Sequence, residues 1–230
     1  VSPRQGAARR HRGAVTLALL AVVVGALAVA GFSLRQYVAA PEPTHSGLTD
    51  MNGAIVVPDD PPDVQGAQVR STGKRFVAPD QGLDVPLDSM DVTGGVINPP
   101  SFATAFLIRQ YGQPDDPASG LSVVTMHAVY GGRSPGNYLF SMAPDDSHAV
   151  IRAGDPVLVA GVGYTVTSTM VIDKVAATDS QRMWGRWKER GNELMIITCL
   201  QRAGQGSVHA ADNLVVFARR DHAAAGASAG

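Results

Sequence analysis

Cysteine is nearly absent: Cys199 stands alone among 230 residues. One thiol cannot close an internal disulfide, and it cannot supply a cysteine-based zinc site. An excess of either charge is also missing. The 19 basic and 20 acidic residues nearly cancel, which argues against nucleic acid as the main partner. Aromatic residues are scarce at 6%, whereas glycine (25) and proline (15) are abundant. That balance favours a loop-rich, mostly β domain over a helical bundle. The length suits one good-sized domain with accessories. There is no internal repeat.

One long hydrophobic run is present. Residues 1–12 are basic, with Arg4, Arg9, Arg10, His11 and Arg12, and residues 13–34 are uncharged and dense in Val, Leu and Ala. As a helix the run would span about 33 Å, enough to cross a bilayer. The basic cluster in front of it predicts a cytoplasmic tail (1–12), a transmembrane anchor (13–34) and export of all that follows. A cleavable signal peptide ending at Ala28-Val29-Ala30 is the competing reading, and it exports the same residues. Residues 35–70, with Pro41, Pro43, Pro58, Pro61 and Pro62, read as an extracellular linker that buries too little to fold alone. The Ala-, Gly- and Ser-only stretch from Ala223 makes residues 221–230 an expected disordered tail.

Between these lies the expected folded domain, 71–220. Its short apolar runs are separated by Gly, Pro and Asp. Leu121–Ala128, Val157–Ala160, Leu194–Cys199 and Leu214–Ala218 read as strands. Tyr164–Val175 alternates, which predicts Tyr164, Val166, Met170 and Ile172 on one face and Thr165, Thr167, Thr169 and Asp173 on the other. A short helix is expected at Phe102–Tyr111, capped by Ser101 and ended by Gly112, with Phe102, Phe106 and Leu107 buried. Many short strands with few helices predict an all-β fold, a closed or nearly closed barrel with short helices.

Cys199 ends an apolar strand, where a nucleophile would be rigidly aimed. A thiol becomes nucleophilic as its thiolate, which a neighbouring imidazole can generate. The bland alternative is a buried, inert thiol. Of six histidines, His11 precedes the hydrophobic run, His45 falls in the linker and His222 in the tail. His148 sits in a polar loop after Asp145 and Asp146, and His209 in the loop after Cys199. His127 ends an apolar strand before a Gly-Gly loop. It could equally be a strand-end histidine bonded to backbone. The order of histidine before cysteine differs from papain-like enzymes, and the caspase cysteine motif is absent.

These residues carry a family resemblance. Ile197-Thr198-Cys199 resembles the Thr-x-Thr-Cys strand end of sortases, and Thr125-Met126-His127-Ala128 their histidine segment. Arg75–Pro79 with Leu83–Leu87 is similar to the opening of the barrel in actinobacterial class E and F members. Asp91–Pro99 and Ala153–Val159 resemble two further family segments. The likeness covers about residues 72–219. The chain departs from the pattern at Met126, where a glycine more often precedes the histidine, and again after the cysteine. The arginine that sortases carry after the cysteine, before a Leu/Ile-Val-Val run, is replaced by Asn213 in front of Leu214-Val215-Val216. Asn213 can donate a hydrogen bond but no charge. Arg202 is the alternative in the loop, also readable as a solvated charge, and Arg219 is a more distant one.

The resemblance implies a sortase-type closed β barrel and a membrane-anchored cysteine transpeptidase of the plasma membrane. Cys199 would form a thioacyl intermediate on a C-terminal sorting motif such as Leu-Pro-x-Thr-Gly, and His127 would protonate the leaving amine. Thr198 would line the substrate groove. The partners implied are sorting-signal-bearing surface proteins and an amine acceptor, either a peptidoglycan precursor or a pilin. No cofactor is required and no metal site is expected. The Asp145–Asp146 pair reads as a solvated loop rather than a calcium site. Two competing readings are a degenerate sortase-like peptide- or wall-binding module, and an unrelated exported β domain with Cys199 buried.

Overall fold

The structure is a computed structural model that describes residues 48–58, 60–142, 148–202 and 210–221. The expected anchor at 13–34 and the tail from 222 lie outside the described residues. Among those described, no helix is long and apolar enough to cross a membrane.

Eight strands close into a barrel: β1 (Arg70–Ala78), β2 (Leu83–Met90), β3 (Ala105–Ile108), β4 (Ser122–Met126), β5 (Pro156–Val159), β6 (Val162–Asp173), β7 (Glu193–Leu200) and β8 (Asp212–Arg220). Their order around the barrel is β1-β2-β3-β4-β7-β8-β6-β5. The β2–β3 and β4–β7 pairs are parallel and the rest antiparallel. Closure leaves no free sheet edge, which explains how so many short strands form one stable sheet. The expected barrel is therefore observed, and four of the predicted strands reappear as β4, β5, β7 and β8.

Alternation fills the barrel. Phe76, Val85, Val124, Met126, Val157, Leu194, Ile196, Leu214 and Val216 point inward and form the main core. The outer face of β4, β7 and β8 is covered rather than wet. Val123, Met195, Ile197, Val215 and Phe217 form a second apolar layer beneath Met183, with Tyr111, Trp184 and Trp187 packed against it. Two short helices, α1 (Lys174–Thr178) and α2 (Gln181–Trp184), help carry that cover. Asp173 caps α1 by accepting from the N–H groups of Val175 and Ala176, and Ser180 caps α2 through Met183 N–H.

Three expectations are corrected. Phe102–Tyr111 is not a helix. Ala105–Ile108 forms β3 between β2 and β4, and Ser101 accepts from Ala103 N–H in a tight turn rather than capping a helix. The four residues are all buried, Ala105 and Leu107 in the barrel, Phe106 and Ile108 outside it. A run buried on both faces gains more as an inner strand than as a helix with one wet side. Second, β6 does not keep one apolar face. A bulge between Val166 and Ser168 shifts its register against β8. Tyr164 and Val166 therefore enter the barrel, while Met170 and Ile172 join the outer layer. The strand also stops at Asp173, where the cap begins α1.

Third, residues 48–58 and 60–70 of the segment expected as linker are built into the fold. Asp50 is buried and accepts from the N–H groups of Asn52, Ala54 and Arg133. Ala67 packs with Met90 and Phe106. A carboxylate with three backbone donors offsets the cost of its burial, so a polar, proline-rich stretch can still be ordered. Asp50 titrates below the usual carboxylate range for that reason. The Arg133 N–H is the largest influence, burial opposes it, and the Ala54 and Asn52 N–H groups add to it.

Candidate active site

Register sets the site. β4 and β7 run parallel, with Met126 beside Thr198. The pairing ends there; one step further along both chains stand His127, just past β4, and Cys199, with no hydrogen bond between their side chains among the described residues. Cys199 in turn pairs with Asn213 on β8. Adjacent strands are about 4.8 Å apart, so Cys199 and Asn213 are neighbours, and extending the β4–β7 register by one residue makes His127 the third member of that row. Side chains alternate along a strand. Leu200 and Leu214 lie in the barrel core, so alternation turns Cys199 and Asn213 to the opposite face of β7 and β8, where Cys199 still packs against the edge of that core. All three residues line a cleft of about 980 Å³, large enough for a peptide or a sizeable small molecule. Its apolar wall includes Ile55, Val57, Val96, Ile97, Met183 and Trp184. Of these Ile55, Val57 and Val96 are exposed.

Cys199 is half-buried and free. His127 is held from two directions. Its Nε2 lies 2.6 Å from the carbonyl oxygen of Pro99, and its ring stacks on Phe102 at 4.1 Å and 12°. A carbonyl oxygen can only accept, so Nε2 carries the proton. In the neutral ring the lone pair is then on Nδ1. Burial lowers the pKa of His127 to about 4; the Pro99 bond works in the opposite direction, and the nearby Lys174 ammonium lowers it further. At neutral pH His127 is therefore an uncharged base with one open nitrogen. A base beside a thiol can take its proton and return it to a leaving group.

Behind the row the backbone is tightly fastened. The His127 carbonyl accepts from Gly136 N–H. Asn137 accepts from the N–H groups of Val129 and Ser134 and donates to the Val129 carbonyl. The loop from 127 to 138 is thus tied at several points, which keeps the imidazole aimed.

The other residues singled out from sequence are placed differently. Thr198 borders the cleft but is buried. Its parity on β7 is that of Ile196 and Leu200, and its hydroxyl lies against Gly136. Arg202 is paired with Asp212 at 2.7 Å and is not part of the described cleft wall. Arg219 is six residues along β8 from Asn213, about 20 Å away at strand rise. His148 lies outside the cleft wall, and His11, His45, His209, His222, Asp145 and Asp146 fall outside the described residues. Among the described residues no three His, Cys, Asp or Glu side chains gather where they could hold a metal ion. Pro99, Phe102 and Lys174 were not recognisable as site residues from sequence. They reach His127 from 25 to 47 positions away by folding, and only the Pro99–Pro100 pair marked a fixed turn.

Several solved structures of sortases are similar to this chain. Sortase A from Corynebacterium diphtheriae shares 15% identity at a TM-score of 0.44, over 64% of this chain and 60% of that one. A pilus-related sortase C of Group B Streptococcus shares 14% at 0.46, over 67% and 70%. Sortase A of Listeria monocytogenes shares 15% at 0.43, over 66% and 89%. The chain thus spans less than two thirds of the Corynebacterium protein's length. No protein-family model matches it, and no curated protein sequence does. At identities this low and superpositions this partial, the likeness adds nothing to the chemistry that the site's own residues carry.

Proposed function

We propose that this chain is a sortase-type cysteine transpeptidase, with Cys199 as nucleophile and His127 as the acid–base group. The observation that supports the reading is that His127, Cys199 and Asn213 line one large cleft, with Cys199 paired to Asn213 across β7 and β8. Nδ1 of His127 takes the thiol proton as Sγ attacks a peptide carbonyl carbon. The tetrahedral oxyanion collapses, the C–N bond breaks, and the imidazolium gives its proton to the departing amine. A thioester remains on Cys199. An acceptor amine attacks it and loses a proton to His127. The C–S bond breaks, the new amide leaves, and the proton returns to the thiolate.

The developing oxyanion needs a donor. Asn213, next to Cys199, offers an amide N–H. Removing one such donor typically costs about 10²–10³ in rate. Arg202 could serve only by leaving Asp212. Thr198, buried beneath the row, supports the strand under Cys199 more readily than it touches a peptide.

The wider reading follows from the resemblance in sequence to actinobacterial class E and F sortases. The substrate is a surface protein with a C-terminal sorting motif of the Leu-Pro-x-Thr-Gly type, and the acceptor is an amine of a peptidoglycan precursor or a pilin. Residues 13–34 would anchor the enzyme in the plasma membrane with the barrel outside, which raises its effective concentration beside membrane-held substrates.

A second reading draws on Asn213 standing where the family carries arginine: a sortase-like barrel that binds peptide or wall without turnover. Residues 48–230, incubated with sorting-motif peptides and an amine, separate the two. The transpeptidase gives a ligated product that Cys199→Ala abolishes and His127→Ala lowers by about 10²–10⁴. A folded protein that binds peptide and yields no ligated product across the panel is the binding module.

A further inference from the structure

Lys174 is the only lysine or arginine among the described residues that line the cleft. Its position is set by the same sheet that builds the row. On β6 and β8, Ile172 pairs with Asn213 and Asp173 with Asp212, and Lys174 N–H then donates to the Ala211 carbonyl at 3.0 Å. Lys174 therefore stands just past the end of the row, two residues on from the partner of Asn213. Its side chain makes no ion pair among the described residues. Its charge is felt at His127, whose protonation it opposes.

The cleft's own carboxylates do not answer this charge. Asp50 is buried and occupied by three backbone N–H groups. Asp60 is exposed, and it borders the cleft together with Pro58, Val96 and Asn98, beside a smaller neighbouring pocket that shares Asp60, Val96 and Asn98. The rest of the wall mixes apolar residues such as Ile97 and Trp184 with uncharged polar ones such as Gln110 and Thr178. An exposed ammonium with no ion-pair partner among the described residues, on the wall of the cleft that also holds Cys199, attracts an anionic group on whatever fills the cleft.

We infer that Lys174 makes this cleft select a peptide bearing a carboxylate close to the bond that Cys199 attacks. This rests on the cleft being the peptide site of the proposed transpeptidase. The substrate class is then an apolar peptide with an acidic side chain, or a terminal carboxylate, at the Lys174 end. The same carboxylate placed at the Asp60 end meets a like charge. The ammonium is a specificity determinant here. It discriminates between substrates and need not touch the reacting atoms.

The test separates recognition from chemistry. The full chain carrying Cys199→Ala is titrated with Leu-Pro-Ala-Thr-Gly-type peptides in which one Glu, Gln or Lys is moved through successive positions. Binding is read from tryptophan fluorescence, since Trp184 lines the cleft. The inference expects Glu to outbind Gln at one cluster of positions by roughly fivefold at low salt, with the advantage shrinking as salt is raised. Lys174→Met should remove the advantage, and Lys174→Glu should transfer it to the Lys peptides. A Glu-to-Gln ratio that Lys174→Met leaves unchanged overturns the inference, as does binding of no peptide in the scan. A preference that depends on Lys174, found in a protein whose Cys199 never forms a thioester, leaves the inference standing and removes the transpeptidase. A thioester formed with no charge preference does the reverse.

Discussion

His127 has its proton on Nε2 because the Pro99 carbonyl can only accept, and its ring is fixed by Phe102 on one side. Its pKa near 4 lies below the ordinary histidine value of 6.5, chiefly through burial. The unfolded chain therefore binds more protons than the folded one between about pH 6.5 and pH 4. Stability is complete above that window and falls as pH drops through it. The loss attributable to this one group is at most roughly 3 kcal/mol. Urea midpoints recorded from pH 7 to pH 4 should decline in the parent and decline less in His127→Gln. The acid limb of kcat/KM in the transpeptidation assay should fall near pH 4 rather than 6.5.

At the scale of elements, the site is a product of two parallel strands and a clasped loop. Because β4 and β7 share register up to Met126 and Thr198, His127 and Cys199 each follow directly on a paired residue. Gly136 is where that arrangement is most constrained. A Cβ there would strike the Thr198 hydroxyl and come within 2.7 Å of the His127 carbonyl. Backbone on one side leaves little to yield, so Gly136→Ala should destabilise by about 1–3 kcal/mol. Alanine should also displace the turn in which Gly136 N–H donates to the His127 carbonyl. Thermal melts of the variant, compared with Gly131→Ala in the neighbouring exposed loop where a Cβ meets nothing within 4 Å, provide the check. Gly131 has a positive φ of 69°, so its own cost is backbone strain of about 1 kcal/mol.

Across the whole molecule, the barrel was legible in the sequence and its outer cover was not. β4, β5, β7 and β8 announce themselves because each carries β-branched or apolar residues between Gly, Pro and Asp. β3 reads as a helix because Phe102, Phe106 and Leu107 also fit a helical spacing, and only burial on both faces decides between them. The β6 bulge is invisible because alternation resumes after it with the faces exchanged. His127, Cys199 and Asn213 could be nominated from strand ends and a family pattern. Pro99, Phe102 and Lys174 could not, since each acts through a contact that exists only after the chain closes.

The same holds for Asp50, which reads as a linker acid and proves to fasten residues 48–56 to the loop near 133. Asp50→Ala removes the acceptor of three backbone N–H groups and should cost about 1–3 kcal/mol, measurable as a lowered urea midpoint. The contribution of its charge, held below the ordinary carboxylate pKa of 3.8, is present above that value and disappears as pH falls through the folded one.

The central claim is that Cys199 works as a nucleophile with His127, on the wall of the same cleft, as its base. Intact-protein mass spectrometry after incubation with sorting-motif peptides, quenched in acid, tests it most directly. The account predicts a mass increase equal to the acyl fragment, lost in Cys199→Ala, strongly reduced in His127→Ala and released by hydroxylamine. A protein that folds, binds these peptides in its cleft and never gains that mass would contradict it.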